Sequence, residues 1–180
     1  IVISMLSDLM NASSKSLSSD KEAILNSKLF ELYNSISRED LEYDKNSILG
    51  EGASAIVYSG KYGTSYVAIK QFKTNQFDQN DIEREALLLK AMNHPLVMHC
   101  YGLLKYNNNK DLCLITEIAI YGNLFEYVCK VKEFSLPLVV SCIGDVTDAL
   151  AYLHRQGITH KDIKGENILV CVDKRCKISD

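Results

Sequence analysis

The segment His160-Lys161-Asp162-Ile163-Lys164-Gly165-Glu166-Asn167 is a polar loop between a predicted helix and a predicted hairpin. Asp162 can accept the proton of a hydroxyl group. Lys164, two residues later, can neutralise a phosphoryl group during its transfer. The amide oxygen of Asn167 is a hard ligand that suits Mg²⁺. The hairpin that follows, predicted from the apolar runs 168–172 and 176–178, ends just before Asp180, whose carboxylate would supply a second oxygen ligand.

A run of small residues, Gly50 to Ala55, separates two predicted strands upstream of this loop. Glycines at such a turn let the backbone approach a ligand closely and direct N–H groups toward phosphate. When this pattern stands alone, it more often marks a turn that binds no ligand. The run is not a dinucleotide-binding fingerprint, because a strand follows it, and it is not a Walker loop, because no Lys-Ser/Thr pair follows the second glycine.

Lys70 ends the predicted strand Val67-Ala68-Ile69-Lys70. A lone lysine at a strand end usually extends into solvent, whereas a lysine that holds nucleotide phosphates needs a carboxylate to fix its ammonium group. The next predicted helix offers Glu83 and Glu85. Glu85 shares a helical face with Leu89 and is expected to point inward, whereas Glu83 is expected to be solvated.

Hydrophobic periodicity divides the chain into three parts. After an apolar start and a Ser-rich stretch, residues 20–35 are predicted to form one amphipathic helix. Residues 41–118 are predicted to form a three-stranded meander, a helix at 81–92, and a second hairpin from the apolar runs Leu96–Leu104 and Leu112–Ile118. Two helices, 124–131 and 137–154, are predicted to follow. The second of them carries an apolar stripe of Val140, Ile143, Val146, Ala149, Leu150 and Leu153.

The composition is that of a globular protein, with 180 residues, 47% hydrophobic and 24% charged, and a formal net charge of −3. The lack of a basic excess argues against nucleic acid or an anionic membrane surface as the main partner. No uninterrupted apolar stretch reaches the roughly 18 residues of a membrane span, so no membrane contact is expected. The six cysteines form no C-x-x-C pair, and we therefore expect reduced thiols and a cytoplasmic location.

Taken in order, five features resemble the signature set of eukaryotic protein kinases: the glycine loop, the V-A-I-K lysine, the helix glutamate, the H-x-D-x-K-x-x-N loop and the final aspartate. The resemblance covers residues 41–180. It implies an α+β, protein-kinase-like fold, with a five-stranded antiparallel N-lobe sheet and one helix, followed by the truncated helical start of the C-lobe. The implied domains are a flanking segment at 1–40, the N-lobe at 41–118, and the hinge with the beginning of the C-lobe at 119–180.

The resemblance also implies ATP and Mg²⁺ as cofactors and a protein as the substrate. The residues that it assigns to ATP are Leu49, Gly50, Glu51, Gly52, Val57, Ala68, Lys70, Thr116, Glu117, Ile118, Ala119 and Leu169. Lys70 would contact the α- and β-phosphates and pair with Glu85. Asp162 resembles the catalytic base and Lys164 the lysine that contacts the transferred phosphate. Asn167 and Asp180 resemble the Mg²⁺ ligands.

Within the family, Lys164 favours Ser/Thr substrates, and the segments 114–117 and 122–124 resemble the tyrosine-kinase-like branch. Two residues depart from the family pattern. Ala55 replaces a third glycine, and Lys161 offers a point charge where the usual arginine offers a bidentate fork for a phosphate. Three alternatives stay open: a pseudokinase-like ATP-binding or scaffolding module, a tyrosine or dual-specificity kinase, and a small-molecule kinase of similar fold. Because the family's activation segment would follow Asp180, we expect this chain to be a fragment that is unstable and inactive alone.

Overall fold

The computed structural model describes residues 19–73, 78–106, 111–131 and 135–179. The predicted Ser-rich linker, the turn at residues 107–109 and Asp180 therefore lie outside the described residues, and the predictions about them stay predictions. The chain divides into two compact units, each of which is described by itself. The first comprises Ile1–Ala91 with His99–Glu117, and the second comprises Met92–Met98 with Ile118–Asp180.

The described part of the first unit contains two helices and a five-stranded sheet. Its elements are α1 (Ser19–Tyr33), β1 (Leu41–Glu51), β2 (Ala55–Tyr62), β3 (Ser65–Phe72), α2 (Gln79–Ala91), β4 (Cys100–Tyr106) and β5 (Asp111–Glu117). The strands lie in the order β1-β2-β3-β5-β4, and all neighbours are antiparallel. The predicted five-stranded antiparallel sheet with helices is confirmed.

The sheet has two different faces because side chains alternate along each strand. On β3, Val67 and Ile69 are fully buried on one face, whereas Ala68 and Lys70 are half-buried on the other. The turn before β3 has two residues, since Tyr62 pairs with Ser65, and Gly63 takes the positive φ of 57° that glycine adopts without steric penalty.

Helix α2 packs on the second face of the sheet, at the end away from Ala68. The buried residues of this cluster come from α1, α2 and four strands, and they include Ala55 at the start of β2. The methyl group of Ala55, which replaces a glycine of the family pattern, is therefore part of the hydrophobic core, where it is 4% exposed.

The second unit is mainly helical. Its elements are α3 (Leu124–Lys130), α4 (Leu136–Arg155), a short 3₁₀ turn (Gly165–Asn167), β6 (Ile168–Val170) and β7 (Cys176–Ile178). The side chain of Asn123 caps α3 by accepting a hydrogen bond from the backbone N–H of Glu126, at 2.8 Å. The hairpin β6–β7 packs against α4, which places the polar loop 160–167 between a buried helix face and a buried hairpin.

One detail of the predicted elements is wrong. The apolar run Leu96–Leu104 is not one strand, because β4 begins only at Cys100. The residues before it belong to the second unit, where Val97 forms a parallel bridge with Ile178. Apolar composition alone cannot distinguish a residue that pairs in a sheet from one that pairs in a neighbouring hairpin.

The apolar stripe predicted on α4 is only partly buried. Ala149 and Leu153 are buried, but Val140 and Ile143 are each 61% exposed. The buried face includes Asp145 instead, because its carboxylate is paired with Arg175 beside β7. A pattern that counts only apolar residues misses such a position.

Helix α4 is also long and apolar enough to cross a membrane by length and composition, with a mean hydropathy of 1.5 over 18 residues. One face of it packs on the hairpin β6–β7 and holds the buried carboxylate of Asp145. Only 22% of that 18-residue window is buried in the structure.

Cysteine reactivity gives a first test of this packing. Cys129 is exposed and the other five cysteines are buried. Burial raises the pKa of Cys100 to about 11, and burial together with the neighbouring Cys142 raises the pKa of Cys176 far above its usual range. Because the thiolate is the nucleophile, we expect iodoacetamide to alkylate Cys129 in the native protein at least about tenfold faster than the five others. Peptide mass spectrometry measures these rates, and equally fast modification of Cys142 or Cys176 would contradict the structure.

Candidate active site

The sheet register of the first unit brings together residues that the sequence assigns to the nucleotide. Gly50 on β1 lies opposite Val57 on β2, and Val57 lies opposite Lys70 on β3. Directly opposed residues of antiparallel strands point to the same face. Ala68 lies opposite Thr116 of β5 on that face. The half-buried Val57, Ala68 and Thr116 thus form an apolar surface beside the ammonium group of Lys70.

The loop between β1 and β2 leaves room for a ligand above its backbone. A methyl group placed on Gly50 would meet no described atom within 4 Å, and one on Gly52 would meet only the carbonyl oxygen of Ala55, at 3.9 Å. The carboxylate of Glu51 lies 2.9 Å from the ammonium group of Lys73, which also donates to the carbonyl oxygen of Gly52. The side chain of Glu51 therefore holds the loop, and it is the backbone of the loop that could face a ligand. Leu49, just before the loop, is 51% exposed.

Lys70 and Glu85 meet as the sequence predicts. The ammonium nitrogen of Lys70 lies 3.4 Å from Oε1 of Glu85 on α2. Their side chains are 19% and 39% exposed, so the pair is partly shielded from water. A carboxylate at this distance limits the directions in which the lysine can extend.

The prediction that Glu83 is solvated is wrong. Glu83 is 9% exposed and is the more buried of the two glutamates. The hydroxyl group of Tyr33 on α1 donates to its Oε1, and the side-chain amide of Gln79 donates to the same atom at 2.6 Å. Helix α1 covers the outer face of α2, so side chains on both faces of α2 are in contact with other elements. The periodicity of α2 alone contains no information about this second contact.

The predicted hinge residues fall at the boundary of the two units. Thr116 and Glu117 end β5, and Ile118 and Ala119 begin the next part of the second unit. The carboxylate of Glu117 accepts a hydrogen bond from the backbone N–H of His99, at 2.7 Å. The side chain of Glu117 therefore bonds to another residue of the first unit. The resemblance implies that the backbone of this segment, and not its side chains, would contact the adenine base.

The polar loop of the second unit brings Asp162, Lys164 and Asn167 together. The ammonium nitrogen of Lys164 lies 2.9 Å from Oδ2 of Asp162. The amide nitrogen of Asn167 donates to the same carboxylate oxygen and to the backbone carbonyl of Asp162, both at 2.9 Å. Asp162 and Lys164 remain exposed to solvent and Asn167 is half-buried, while both contacts hold the carboxylate at Oδ2.

The backbone of the loop is fixed by His160 and by Ser179, the residue that follows β7. A ring nitrogen of His160 lies 2.9 Å from the carbonyl oxygen of Ser179, and its other nitrogen accepts the N–H of Asp162 at 3.4 Å. The N–H of Ser179 donates to the carbonyl oxygen of Asn167, at 3.0 Å. Lys161 takes a positive φ of 67°, which is uncommon for a residue with a side chain and turns the chain sharply before Asp162. On β6, Leu169 is half-buried between the buried Ile168 and Val170.

Comparison with known proteins decides the family. A model of the protein kinase domain matches residues 43–180. The chain belongs to the protein kinase domain family. The helix α1 lies upstream of the matched residues of this kinase domain.

Several kinases are similar to this kinase domain. A probable serine/threonine-protein kinase of Dictyostelium discoideum is 31% identical over 166 residues, which cover 86% of this chain and 18% of that protein. The Aurora kinase of Schizosaccharomyces pombe is 33% identical over 138 residues, covering 73% of this chain and 38% of the relative. A tyrosine-protein kinase of Spongilla lacustris is 27% identical over 151 residues, covering 79% and 45%. The chain thus spans less than half the length of each of these relatives.

Protein kinases in general use ATP and Mg²⁺, and the residues of this kinase domain fit both. The amide nitrogen of Asn167 is held by Asp162, so the amide oxygen is the atom that can ligate a cation. Among the described residues, no three His, Cys, Asp or Glu side chains converge as a metal site of their own. Proteins commonly hold Mg²⁺ with one or two carboxylate ligands while substrate phosphates supply others, and the second predicted ligand, Asp180, lies outside the described residues.

The ionisation of Asp162 gives a testable prediction. The ammonium group of Lys164, followed by the amide of Asn167, holds the pKa of the Asp162 carboxyl below its usual range. A lowered pKa stabilises the folded protein above the unfolded-state pKa, and this contribution is lost as the pH falls. We expect the carboxyl carbon resonance of Asp162 to show no titration between about pH 8 and pH 5. Replacing Lys164 with methionine should raise the midpoint toward the ordinary value. A midpoint at or above the ordinary aspartate value of about 3.9 in the unmodified protein would show that the contact with Lys164 does not form.

Proposed function

We propose that the protein is an ATP-dependent protein kinase that transfers the γ-phosphoryl group to a Ser or Thr hydroxyl of a protein substrate. The observation that carries the proposal is the arrangement of Asp162, Lys164 and Asn167, joined by contacts of 2.9 Å around one carboxylate. A carboxylate held ionised at neutral pH suits a base that receives a hydroxyl proton.

The reaction that this arrangement supports has a simple balance. The substrate hydroxyl oxygen forms a bond to the γ-phosphorus, and the bond from that phosphorus to the bridging β–γ oxygen breaks, so that ADP leaves. The hydroxyl proton moves to Oδ1 or Oδ2 of Asp162. The ammonium group of Lys164 neutralises charge on the transferred group, and Mg²⁺, when bound, neutralises charge on the phosphates.

The first unit supports the nucleotide side of the proposal. The Lys70–Glu85 pair presents a fixed ammonium group to the α- and β-phosphates. The half-buried surface formed by Val57, Ala68 and Thr116 suits the flat, apolar face of a base. Gly50 and Gly52 keep the backbone open to close approach.

The proposed Ser/Thr specificity and the proposed branch of the kinase family are supported by fewer residues than the kinase activity itself. Lys164, two positions after the base, is the pattern of Ser/Thr kinases, and most of the similar kinases are named serine/threonine-protein kinases. The segments 114–117 and 122–124 support the tyrosine-kinase-like branch. We propose both assignments on this basis.

The test is phosphoryl transfer by the full-length protein to two matched peptide libraries. One library offers only Ser and Thr as acceptors, and the other offers only Tyr. We expect label from the γ-phosphate of Mg-ATP to enter the Ser/Thr library, with phosphoserine or phosphothreonine recovered after acid hydrolysis. Label in phosphotyrosine alone would overturn the proposed specificity. Label in a small-molecule acceptor but in no protein or peptide would overturn the proposed substrate class.

A further inference from the structure

Helix α1 is built into the core of the first unit, although it lies outside the residues that match the kinase family. Leu32 is 1% exposed and packs with core residues of α2 and β4. The hydroxyl oxygen of Ser35 lies 2.7 Å from the carbonyl oxygen of Leu32 and 2.8 Å from that of Tyr101 on β4, and its one proton can be donated to either. A methyl group on Gly102 would collide with Ser35 and Leu32, so β4 and the end of α1 are in close contact.

The end of α1 also contacts α2 through a polar cluster. The hydroxyl group of Tyr33 lies 2.5 Å from Oε1 of Glu83. Gln79 donates to the same oxygen, and the ammonium group of Lys105 lies 4.0 Å from it and 4.5 Å above the ring of Tyr33. Burial, and then the carboxylate of Glu83, raise the pKa of Tyr33 well above its usual range, so its hydroxyl group remains a donor at neutral pH.

Glu83 and Glu85 lie on opposite sides of the same turn of α2. Two residues along an α-helix correspond to a rotation of about 200°. Glu83 is therefore held on the outer side by Tyr33, and Glu85 meets Lys70 of β3 on the inner side, at 3.4 Å. A helix turn is a rigid unit, so a contact that fixes Glu83 also limits where Glu85 can lie.

We infer that Tyr33 is a positioning residue for phosphoryl transfer: by holding Glu83, it keeps α2 in the orientation in which Glu85 pairs with Lys70. This inference rests on the proposed function, because the Lys70–Glu85 pair is assigned there to the phosphates. A partner or modification that removes Tyr33 from Glu83 would lower activity without touching the ATP-binding residues.

The first experiment replaces Tyr33 with phenylalanine, which removes only the hydroxyl group, in the full-length protein. We expect kcat to fall about fivefold, the lower end of measured couplings between linked sites, with KM for the peptide substrate unchanged. The control is Tyr62→Phe, the same change on β2, where the ring packs against Tyr101. Both proteins are normalised by titration with a tight ATP-competitive ligand, so that a loss of folded protein is not counted as a loss of kcat.

The second experiment needs no kinase activity. It measures how fast acetic anhydride acetylates the amine of Lys70 in the absence of nucleotide, with mass spectrometry as the readout. Pairing with Glu85 is expected to slow this reaction. We expect Tyr33→Phe to raise the acetylation rate of Lys70, relative to that of Lys61, about two- to fivefold. Tyr62→Phe should leave this ratio unchanged. The same Tyr33 variant made in a Glu85→Gln protein should have no further effect on the ratio, because the contact through which it acts is already lost.

The outcomes separate the two proposals. No phosphoryl transfer by the unmodified protein, with the expected change in Lys70 acetylation, would remove the proposed function and keep Tyr33 as the residue that positions Glu85. Normal transfer with no change in kcat or in Lys70 acetylation would overturn the role of Tyr33. An equal effect of Tyr33→Phe with and without Glu85 would also overturn it, since the hydroxyl group would then act through another contact.

Discussion

Replacing Asp162 with asparagine is expected to lower kcat for phosphoryl transfer by about 10²–10⁴-fold. Asparagine has nearly the same shape as aspartate, but it cannot accept the hydroxyl proton. It also loses the charge that holds Lys164 at 2.9 Å. The binding of Mg-ADP should change by less than about threefold, because the contacts of Lys70 lie in the other unit. Steady-state phosphoryl transfer measures the first quantity, and calorimetric titration with Mg-ADP measures the second.

The matched control for this variant is Asp173→Asn. Asp173 is an exposed loop carboxylate of the same unit, and its side chain accepts the backbone N–H of Arg175 at 3.0 Å, a contact that asparagine can keep. The control should retain full activity. If Asp162→Asn keeps more than about a third of the activity, a proton acceptor at this position is not needed, and the proposed role of Asp162 is wrong.

Replacing Asp145 with alanine is expected to cost about 2–4 kcal/mol of unfolding free energy. The Asp145 side chain is 6% exposed and accepts two or more hydrogen bonds from the guanidinium group of Arg175, at 2.7–2.9 Å. It also accepts the buried N–H of Cys176 at 2.9 Å. The variant leaves that N–H without its partner and opens a cavity beside α4. The side chain of Arg175 is 48% exposed, so water can hydrate its guanidinium group in the variant. The loss of unfolding free energy is therefore smaller than when one partner of a fully buried ion pair is removed.

Urea unfolding of the full-length protein, followed by hydrogen exchange in α4 and β7, measures this effect locally. The control is Asp148→Ala on the same helix, where the side chain is 62% exposed and lies 3.8 Å from His94. The control should change the free energy of unfolding by less than about 0.5 kcal/mol. A loss below about 1 kcal/mol for Asp145→Ala would mean that the contact with Arg175 adds little to the stability of this unit.

Local sequence signals predicted the elements that depend on short stretches of chain. Alternation placed the strands on either side of Gly63, and helical spacing with a following Asn-His-Pro placed α2 within two residues of its observed ends. The loop 160–167 was also predictable, because its polar groups lie within eight residues and a single turn brings them together.

Long-range contacts were not predictable in the same way. The burial of Glu83 depends on Tyr33, which lies 50 positions upstream on another helix. The burial of Asp145 depends on where the hairpin β6–β7 meets α4. In both places a charged residue is inside because a partner from elsewhere satisfies it, and hydrophobic periodicity carries no information about such partners.

The row formed by Gly50, Val57 and Lys70 was predictable in part. The sequence named each residue, but only the strand register shows that they are neighbours on one face. A shift of one residue in the pairing of β2 and β3 would move Lys70 to the opposite face of the sheet, where the buried Val67 and Ile69 now lie. The candidate nucleotide surface is therefore a consequence of register as much as of residue type.

The most direct test of the account is the fate of the γ-phosphate of ATP in the presence of the full-length protein and Mg²⁺. Labelled Mg-ATP is incubated with the unmodified protein, with Asp162→Asn and with Asp173→Asn, and label in protein is separated from label in free phosphate. Label is expected to enter Ser or Thr residues of protein with the unmodified protein and with Asp173→Asn, and not with Asp162→Asn. Tight binding of Mg-ATP with no transfer to any acceptor, including the protein itself, would contradict this expectation and would indicate a nucleotide-binding scaffold.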